Sequence, residues 1–217
     1  MNALINGESI LDYLTKNRKP FTELEKEMEE LAKAKKIPIL DYKSAELLEI
    51  LIELKQPINA LEIGTAIAYS SIKMANRMPK EGIVDTIEKS KDNMPMAKEF
   101  ISKAGLEGKI NILFGEAEEI MKSSDKKYDF IFLDADKLYY EKLFNLSLNL
   151  LNKGGIIFID NLLWKGYVAE NLEDIPIPFR NSTEQVSSFN QLFLNHKSFE
   201  AQIFPIGDGI GIGIKRD

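Results

Sequence analysis

The chain has 217 residues, of which 44% are hydrophobic and 29% charged, and its net charge is −6. This length and balance fit one globular domain with a substantial core. The absence of cysteine excludes disulfides and thiolate metal sites, and a His-rich zinc site is excluded because His196 is the only histidine. The acidic charge argues against non-specific polyanion binding, although a local basic patch can still contact RNA.

The first 57 residues are predicted to form a helical cap. The segment MNALINGESILDYL is amphipathic and lacks a basic start, so no secretory signal is expected. Apolar spacing predicts a helix over Thr22–Lys36, opened by a capping box in which Thr22 pairs with Glu25. A second helix is predicted over 44–55 and ended by Pro57. Four leucines recur at helical spacing on its expected buried face: Leu47, Leu48, Leu51 and Leu54.

From residue 58 onward, short apolar segments alternate with helical ones. The predicted strands are 58–63, 83–88, 110–115, 128–134 and 155–160. The predicted helices between them lie near 70–78, 90–104, 116–122 and 139–151. Nearly all-apolar strands joined by helices indicate parallel strands buried on both faces. Right-handed crossovers then produce a doubly wound sheet.

The C-terminal segment FEAQIFPIGDGIGIGIK is typical of two strands separated by a Gly-Asp-Gly turn. The predicted fold class is therefore α/β: a Rossmann-like doubly wound sheet of the class I methyltransferase type, with N-terminal helices and a C-terminal antiparallel hairpin. We expect a single domain over 1–217, with a helical cap at 1–57 and a cofactor-binding core at 58–217. The longest predicted loop is 171–182, which follows a strand end. No apolar run approaches the ~18 residues that a membrane span needs, so a cytoplasmic protein is expected.

The segment LEIGTAIAYSS, residues 61–71, is a strand that leads through a glycine turn into a helix. In a doubly wound sheet this turn directs backbone N–H groups toward a nucleotide-like ligand. A dinucleotide fingerprint needs three glycines, whereas Gly64 stands alone here, so a ligand without phosphate fits better. S-adenosylmethionine has no phosphate and carries cationic groups, which suit Glu62. The alternative is that Gly64 only permits a tight turn between strand and helix.

Two further acidic segments follow predicted strands. Glu88 ends the second strand, where a carboxylate can accept hydrogen bonds from both ribose hydroxyls, as it also does in NAD enzymes. Gly115, Glu116 and Ala117 follow the third strand and are predicted to line the adenine. The alternative for this segment is a helix with glutamates in its first turn.

Oxygen-bearing side chains also follow the fourth and fifth strands. FLDADK ends in Asp134, Asp136 and Lys137, and FIDN ends in Asp160 and Asn161. Because neighbouring parallel strands end at the same edge, we expect Asp134, Asp160 and Asn161 to lie together. Such hard oxygen donors favour Mg²⁺, Mn²⁺ or Ca²⁺. Helix capping by Asp136 or Asn161 is the alternative, but it accounts for single residues only.

The motifs LEIGTAIAYSS, TIEKS, FLDADK and FIDNLLWKGYV resemble those of the cation-dependent O-methyltransferases, which include catechol and caffeoyl-CoA O-methyltransferases. Within the family, KIPIL, GTAIAYSSIKMA, DNLLWKGYVAE and PIGDGIGIGIK are most similar to bacterial members that methylate 5-hydroxyuridine in tRNA. The resemblance covers roughly residues 36–217. It implies transfer of a methyl group from S-adenosylmethionine to a hydroxyl that a divalent metal ion activates.

The resemblance also implies roles for individual residues. It places cofactor contacts at Leu40, Glu62, Gly64, Ser70, Glu88, Glu116, Ala117 and Asp134. It places the metal on Asp134, Asp160 and Asn161, and the catalytic groups at Lys137 and Asp134. The chain departs from its relatives at Ala68, where glycine is common, and at 116–118, which differs from the adenine-contacting residues of the catechol enzymes.

The acceptor is left open by the motifs, because a catechol and 5-hydroxyuridine both present vicinal oxygens to a metal. If the acceptor is tRNA, six basic residues are candidates for phosphate contacts: Lys33, Lys35, Lys36, Lys43, Lys165 and Arg180. The run KAKK at 33–36 is equally typical of a solvated helix end. Relatives are often dimers, so a homodimer that uses the N-terminal helices is expected.

Two other classes of protein compete with this interpretation. A Rossmann-type oxidoreductase would need the dinucleotide turn that this chain lacks. A non-catalytic RNA- or partner-binding module would not need Asp134, Lys137, Asp160 and Asn161 together. A melting temperature that rises with S-adenosylmethionine, but not with NAD, would separate the enzyme from both.

Overall fold

The structure is a computed structural model and describes residues 8–216. The first seven residues of the amphipathic N-terminal segment lie outside the described residues. The helices are α1 Glu8–Asn17, α2 Glu23–Lys35, α3 Tyr42–Lys55, α4 Tyr69–Arg77, α5 Asn93–Lys103, α6 Ala117–Ser123, α7 Tyr140–Leu150 and α8 Ile177–Leu194. The strands are β1 Asn59–Ile63, β2 Ile83–Glu88, β3 Ile110–Phe114, β4 Tyr128–Leu133, β5 Leu151–Ile159, β6 Phe199–Phe204 and β7 Ile210–Lys215.

The strands form one seven-stranded sheet in the order β3-β2-β1-β4-β5-β7-β6. Strands β1 to β5 are parallel, and β7 runs antiparallel to both β5 and β6. The strand order reverses between β1 and β4, which is the point where doubly wound sheets bind their ligands. The predicted fold class is confirmed, including the antiparallel C-terminal hairpin.

Successive side chains of β4 point to opposite faces of the sheet, and each face is covered by its own apolar cluster. Phe130 and Phe132 pack into an apolar cluster with α2 to α5, whereas Ile131 and Leu133 pack into a second cluster with α6 to α8. This two-sided burial explains why the parallel strands are nearly all apolar in sequence. The carboxyl ends of β1 to β5 are thereby fixed along one edge.

Most predicted elements begin and end within a few residues of the observed ones, and the capping box of Thr22 and Glu25 is present at the start of α2. The predicted apolar face of α3 is confirmed for Leu47, Leu48 and Leu51, which pack into the core, and is wrong for Leu54. Its fully buried apolar residues are Ala45, Leu48 and Ile52, whereas Leu54 is 77% exposed. The side of α3 that faces the core therefore does not include Leu54.

Two boundaries near the C-terminal half also differ from prediction. Strand β5 begins at Leu151, four residues before the predicted start at 155. The preceding helix α7 therefore ends at Leu150, one residue before its predicted end at 151. Helix α8 begins at Ile177, inside the predicted loop 171–182. Pro178 lies in its first turn, where proline is compatible with a helix because the first N–H groups need no intrahelical partner.

Among residues 8–216, no helix is both long enough and apolar enough to cross a membrane.

Candidate active site

The glycine turn after β1 lies directly against the end of β4. Gly64 has φ +113°, and a Cβ added there would lie 2.2 Å from the carbonyl oxygen of Asp134. Glycine is thus required for the two strand ends to approach, which supports the structural alternative for Gly64 whether or not the turn holds a ligand. Ala66 and Ala68 also have left-handed backbones, with φ 47° and 67°. Left-handed alanine costs roughly 1–2 kcal/mol, so this turn is strained.

Glu62 lies beneath this turn and is fully buried. Its carboxylate accepts hydrogen bonds from the hydroxyls of Ser70, Ser71 and Thr86. Burial raises the pKa of Glu62 to about 7; the hydroxyl hydrogen bonds oppose this rise, and the charge of Asp134 adds to it. Glu62 therefore ties the start of α4 to β2. Ser71 and Thr86 belong to this arrangement, and the sequence analysis missed both.

Glu88 ends β2 and is also buried. Its carboxylate accepts from the backbone N–H of Ala66 at 2.8 Å and of Ser90 at 2.6 Å, and from Asn93 Nδ2 at 3.2 Å. The side chain thus joins the strained glycine turn to the turn after β2. Asn93 is a further contact that the sequence analysis did not identify, since nothing in its spacing marks it.

Replacing Glu88 with alanine is expected to weaken S-adenosylmethionine binding by about 1.5–3 kcal/mol, the usual contribution of a hydrogen bond to a charged group. The loss would follow both from the predicted ribose contact of Glu88 and from the freed N–H of Ala66 in the turn. Isothermal titration calorimetry measures the change. Glu81→Ala serves as the control, because Glu81 is exposed and lies before the start of β2, away from the predicted cofactor residues. Unchanged affinity of Glu88→Ala would place the ribose elsewhere.

The other predicted cofactor residues lie in different surroundings. Leu40 is buried in the same apolar cluster as Ala68. Glu116 is exposed and precedes the first residue of α6, Ala117. Its carboxylate lies 3.8 Å from Lys89 Nζ, which links the ends of β2 and β3. A contact of these residues with the cofactor stays a prediction.

The acidic residues after β4 and β5 lie on neighbouring parallel strands. Asp160 is 7% exposed and accepts a hydrogen bond from the N–H of Asn161 at 2.7 Å. Burial raises the pKa of Asp134, and burial together with the charge of Asp134 raises that of Asp160 to about 7. Two carboxylates that oppose each other's ionisation in this way would be stabilised by a cation.

The donor set at this edge consists of two carboxylates and one amide. Within residues 8–216, no group of three or more His, Cys, Asp or Glu side chains could hold a metal ion. The chemistry nevertheless fits a hard divalent cation, since Asp134, Asp160 and Asn161 offer oxygen donors and such ions retain water or substrate as further ligands. Metal binding by these residues stays a prediction.

Lys137 begins a 3₁₀ helix, Lys137–Tyr139, whose first turn is capped by the side chain of Asp136. The capping alternative is therefore confirmed for Asp136. The Nζ atom of Lys137 donates to Asn161 Oδ1 at 2.5 Å and to the carbonyl oxygen of Ala135 at 3.4 Å. The structure thus brings the predicted catalytic lysine into direct contact with one of the predicted metal ligands.

The segment between β5 and α8 folds back on α8. Trp164 Nε1 donates to Ser182 Oγ at 3.1 Å. Arg180, by contrast, donates to the carbonyl oxygens of Ile175 at 2.9 Å and Glu173 at 3.1 Å. Its guanidinium closes the turn before α8, and the expectation that Arg180 serves as a phosphate contact at a loop rim is not supported.

The remaining basic candidates lie in three places. Lys43 is in the first turn of α3, with Nζ 5.7 Å from the ring centroid of Tyr42. Lys33, Lys35 and Lys36 are exposed at the end of α2, as expected of a solvated helix end. Lys165 lies in the segment after β5, with Nζ 4.6 Å from the ring centroid of Phe179. It follows Trp164, so it lies nearer in sequence to the candidate site.

The sheet order, the ligand-binding edge and the glycine turn together define a class I methyltransferase fold. A sequence profile of the O-methyltransferase family matches residues 15–216. The chain is 36% identical over 169 residues to caffeoyl-CoA O-methyltransferase of Populus kitakamiensis, covering 75% of this chain and 72% of that protein. It is 32% identical over 220 residues to probable caffeoyl-CoA O-methyltransferase 1 of Dictyostelium discoideum, covering 96% and 93%.

Solved structures agree with the fold. The O-methyltransferase from Bacillus cereus, solved in complex with SAH, superposes with a TM-score of 0.84 at 23% identity and covers 96% of this chain and 97% of that chain. The chain belongs to the O-methyltransferase family and is similar to its caffeoyl-CoA type. The prediction of an S-adenosylmethionine-dependent O-methyltransferase is confirmed.

Proposed function

We propose that this methyltransferase uses a divalent metal ion at Asp134, Asp160 and Asn161 to methylate a hydroxyl that lies beside a second oxygen on a planar ring. The observation that carries the proposal is the pair of carboxylates beside the glycine turn: Asp160 is buried, Asp134 is half-buried, and the charge of Asp134 helps to raise the pKa of Asp160. A bound dication would lower the pKa of a coordinated hydroxyl and orient it.

The chain's own residues supply the rest of the chemistry. Glu88 and the turn at Gly64 would hold the cofactor ribose and methionine next to the acidic edge. Lys137, which contacts Asn161, would stabilise the acceptor's oxyanion as an ammonium group or, after it has lost a proton to solvent, would accept the acceptor's proton as a neutral amine. No acid is needed for the leaving group, because a neutral thioether departs. Holding donor and acceptor in line lowers the barrier by about 7–11 kcal/mol in favourable cases.

For the acceptor we propose 5-hydroxyuridine in tRNA, on the strength of the motifs DNLLWKGYVAE and PIGDGIGIGIK. Its 5-hydroxyl and 4-carbonyl would present the two vicinal oxygens. A flipped-out base must reach the metal with its backbone attached, and Lys165, which is next to Trp164 in the sequence, would be a basic partner for a phosphate. A small catechol-like molecule is the second candidate, favoured by the similarity to caffeoyl-CoA O-methyltransferases.

One experiment tests both the metal and the acceptor. Purified protein is assayed with S-adenosylmethionine on hydroxyuridine-containing tRNA and on a simple catechol, in EDTA and after Mg²⁺ or Mn²⁺ is restored. We expect no turnover in EDTA, full recovery with metal, and methylation of tRNA that falls steeply with salt. Full activity in metal-free buffer would refute the metal. Catechol turnover without tRNA methylation would leave the small-molecule acceptor.

We also propose a cytoplasmic homodimer in which each chain is a single domain. Support for an interface on the N-terminal helices comes from α3, where Ile50 is 58% and Leu54 77% exposed. Apolar side chains so exposed on one helix suit a protein contact. Light scattering of the wild type and of Leu54→Glu measures the mass in solution.

A further inference from the structure

The ammonium group of Lys137 lies within the predicted metal site itself. Its Nζ donates to Asn161 Oδ1 at 2.5 Å, so the lysine already engages an oxygen that the proposed metal would use. Its charge also acts on both carboxylates, because it opposes the rise in the pKa of Asp134 and Asp160 that burial causes. One cation of the chain therefore interacts with all three predicted ligands.

The position of this ammonium group is well defined by its surroundings. Nζ lies 5.6 Å from the ring centroid of Tyr140 and 5.5 Å from that of Trp164. Both rings offer the cation an attractive face. The backbone of Lys137 is fixed as well, since it begins a 3₁₀ helix that Asp136 caps. The lysine is therefore held at Asn161 and is not a surface side chain that reaches it by chance.

We propose that Lys137 competes with the divalent cation for Asn161 and for the negative charge of the two aspartates, so that this lysine weakens metal binding. The inference rests on the proposed metal-dependent function. A dication and an ammonium group held within one small, partly buried site repel each other, and water screens that repulsion less than at an exposed surface. The same ammonium group that would stabilise the acceptor's oxyanion would thus limit how tightly the protein holds its metal.

The test measures metal binding alone, without cofactor or acceptor. Mn²⁺ is titrated into the full chain and free Mn²⁺ is followed by electron paramagnetic resonance, for the wild type and for Lys137→Met, Lys137→Gln and Lys137→Arg. Lys137→Gln keeps a donor for Asn161 but removes the charge. We expect the Met and Gln variants to lower the dissociation constant by about tenfold or more, or about 1.4 kcal/mol, and the Arg variant to stay close to the wild type.

A matched control removes the charge of a different lysine, Lys142, which lies in α7. Lys142→Met breaks an exposed pair with Glu118, at 2.5 Å, and should leave Mn²⁺ affinity unchanged. Circular dichroism melting checks that every variant is folded. If Mn²⁺ binds the wild type and the Met and Gln variants equally well, or binds these variants more weakly, the competition is refuted while the metal site stands. If the wild type binds no Mn²⁺, the proposed metal-dependent function itself fails.

Discussion

Replacing Asp160 with alanine is expected to abolish methyl transfer while the protein remains folded. If Asp160 holds the proposed metal, its loss removes several kcal/mol of stabilisation from the reacting oxygen, which corresponds to more than about 1,000-fold in rate. The fold should tolerate the change, because the side chain lies after β5, at the sheet edge. Its one hydrogen bond to the N–H of Asn161 contributes only about 1 kcal/mol.

The pKa of Asp160 gives this prediction a second, independent measurement. A carboxyl group whose pKa rises from 3.8 to about 7 in the folded protein favours the protonated form, so its contribution to stability is lost as pH rises through that interval. In EDTA, wild-type stability should therefore fall between pH 4 and 7 more than that of Asp160→Ala. Urea denaturation at several pH values measures the difference. Asp174→Ala, which removes an exposed carboxylate after β5, is the control. Methyltransferase activity of Asp160→Ala above a tenth of the wild-type activity would contradict the proposal that Asp160 is a metal ligand.

Replacing Gly64 with alanine is expected to cost about 2–5 kcal/mol of folding stability and to remove most cofactor binding. The new Cβ would lie 2.2 Å from the carbonyl oxygen of Asp134, and φ +113° is unfavourable for any side chain. The ends of β1 and β4 would have to separate, which displaces the turn and Asp134 together. Urea denaturation and calorimetry with S-adenosylmethionine measure the two losses.

Gly105 provides a matched control for Gly64. It has φ +66°, but a Cβ added there meets nothing within 4 Å. Gly105→Ala therefore reports backbone strain without a steric clash and should cost only about 1 kcal/mol. Equal destabilisation by the two substitutions would show that the contact with Asp134 is unimportant.

The sheet and its acidic edge were predictable because burial on both faces leaves a clear pattern in the sequence. Runs of apolar residues located the strands, and Asp134 and Asp160 follow directly where two of those runs end. The hydroxyl groups around Glu62 were not predictable in the same way. Thr86 reaches Glu62 because the two residues are partners in the register between β1 and β2, and that register is set only when the strands pair.

The errors at α3 and α8 have separate physical causes. In α3, leucines occur on more than one side of the helix, so spacing alone did not identify the stripe that faces the core, and Leu54 was misplaced. In α8, the prolines of the segment IPIPFRNS indicated a loop. Pro178 instead lies in the first turn of the helix, where its missing N–H leaves no intrahelical hydrogen bond unmade. For Arg180 the residue type suggested phosphate, but nearby carbonyl groups were better placed partners.

The position of β7 between β5 and β6 constrains the order in which the chain can fold. Strand β5, which leads to Asp160, has its second neighbour more than fifty residues later in the sequence, beyond α8 and β6. During translation the edge of β5 would therefore stay unpaired until Ile210–Lys215 had left the ribosome. Unpaired apolar edges favour aggregation, and such non-local pairings slow folding.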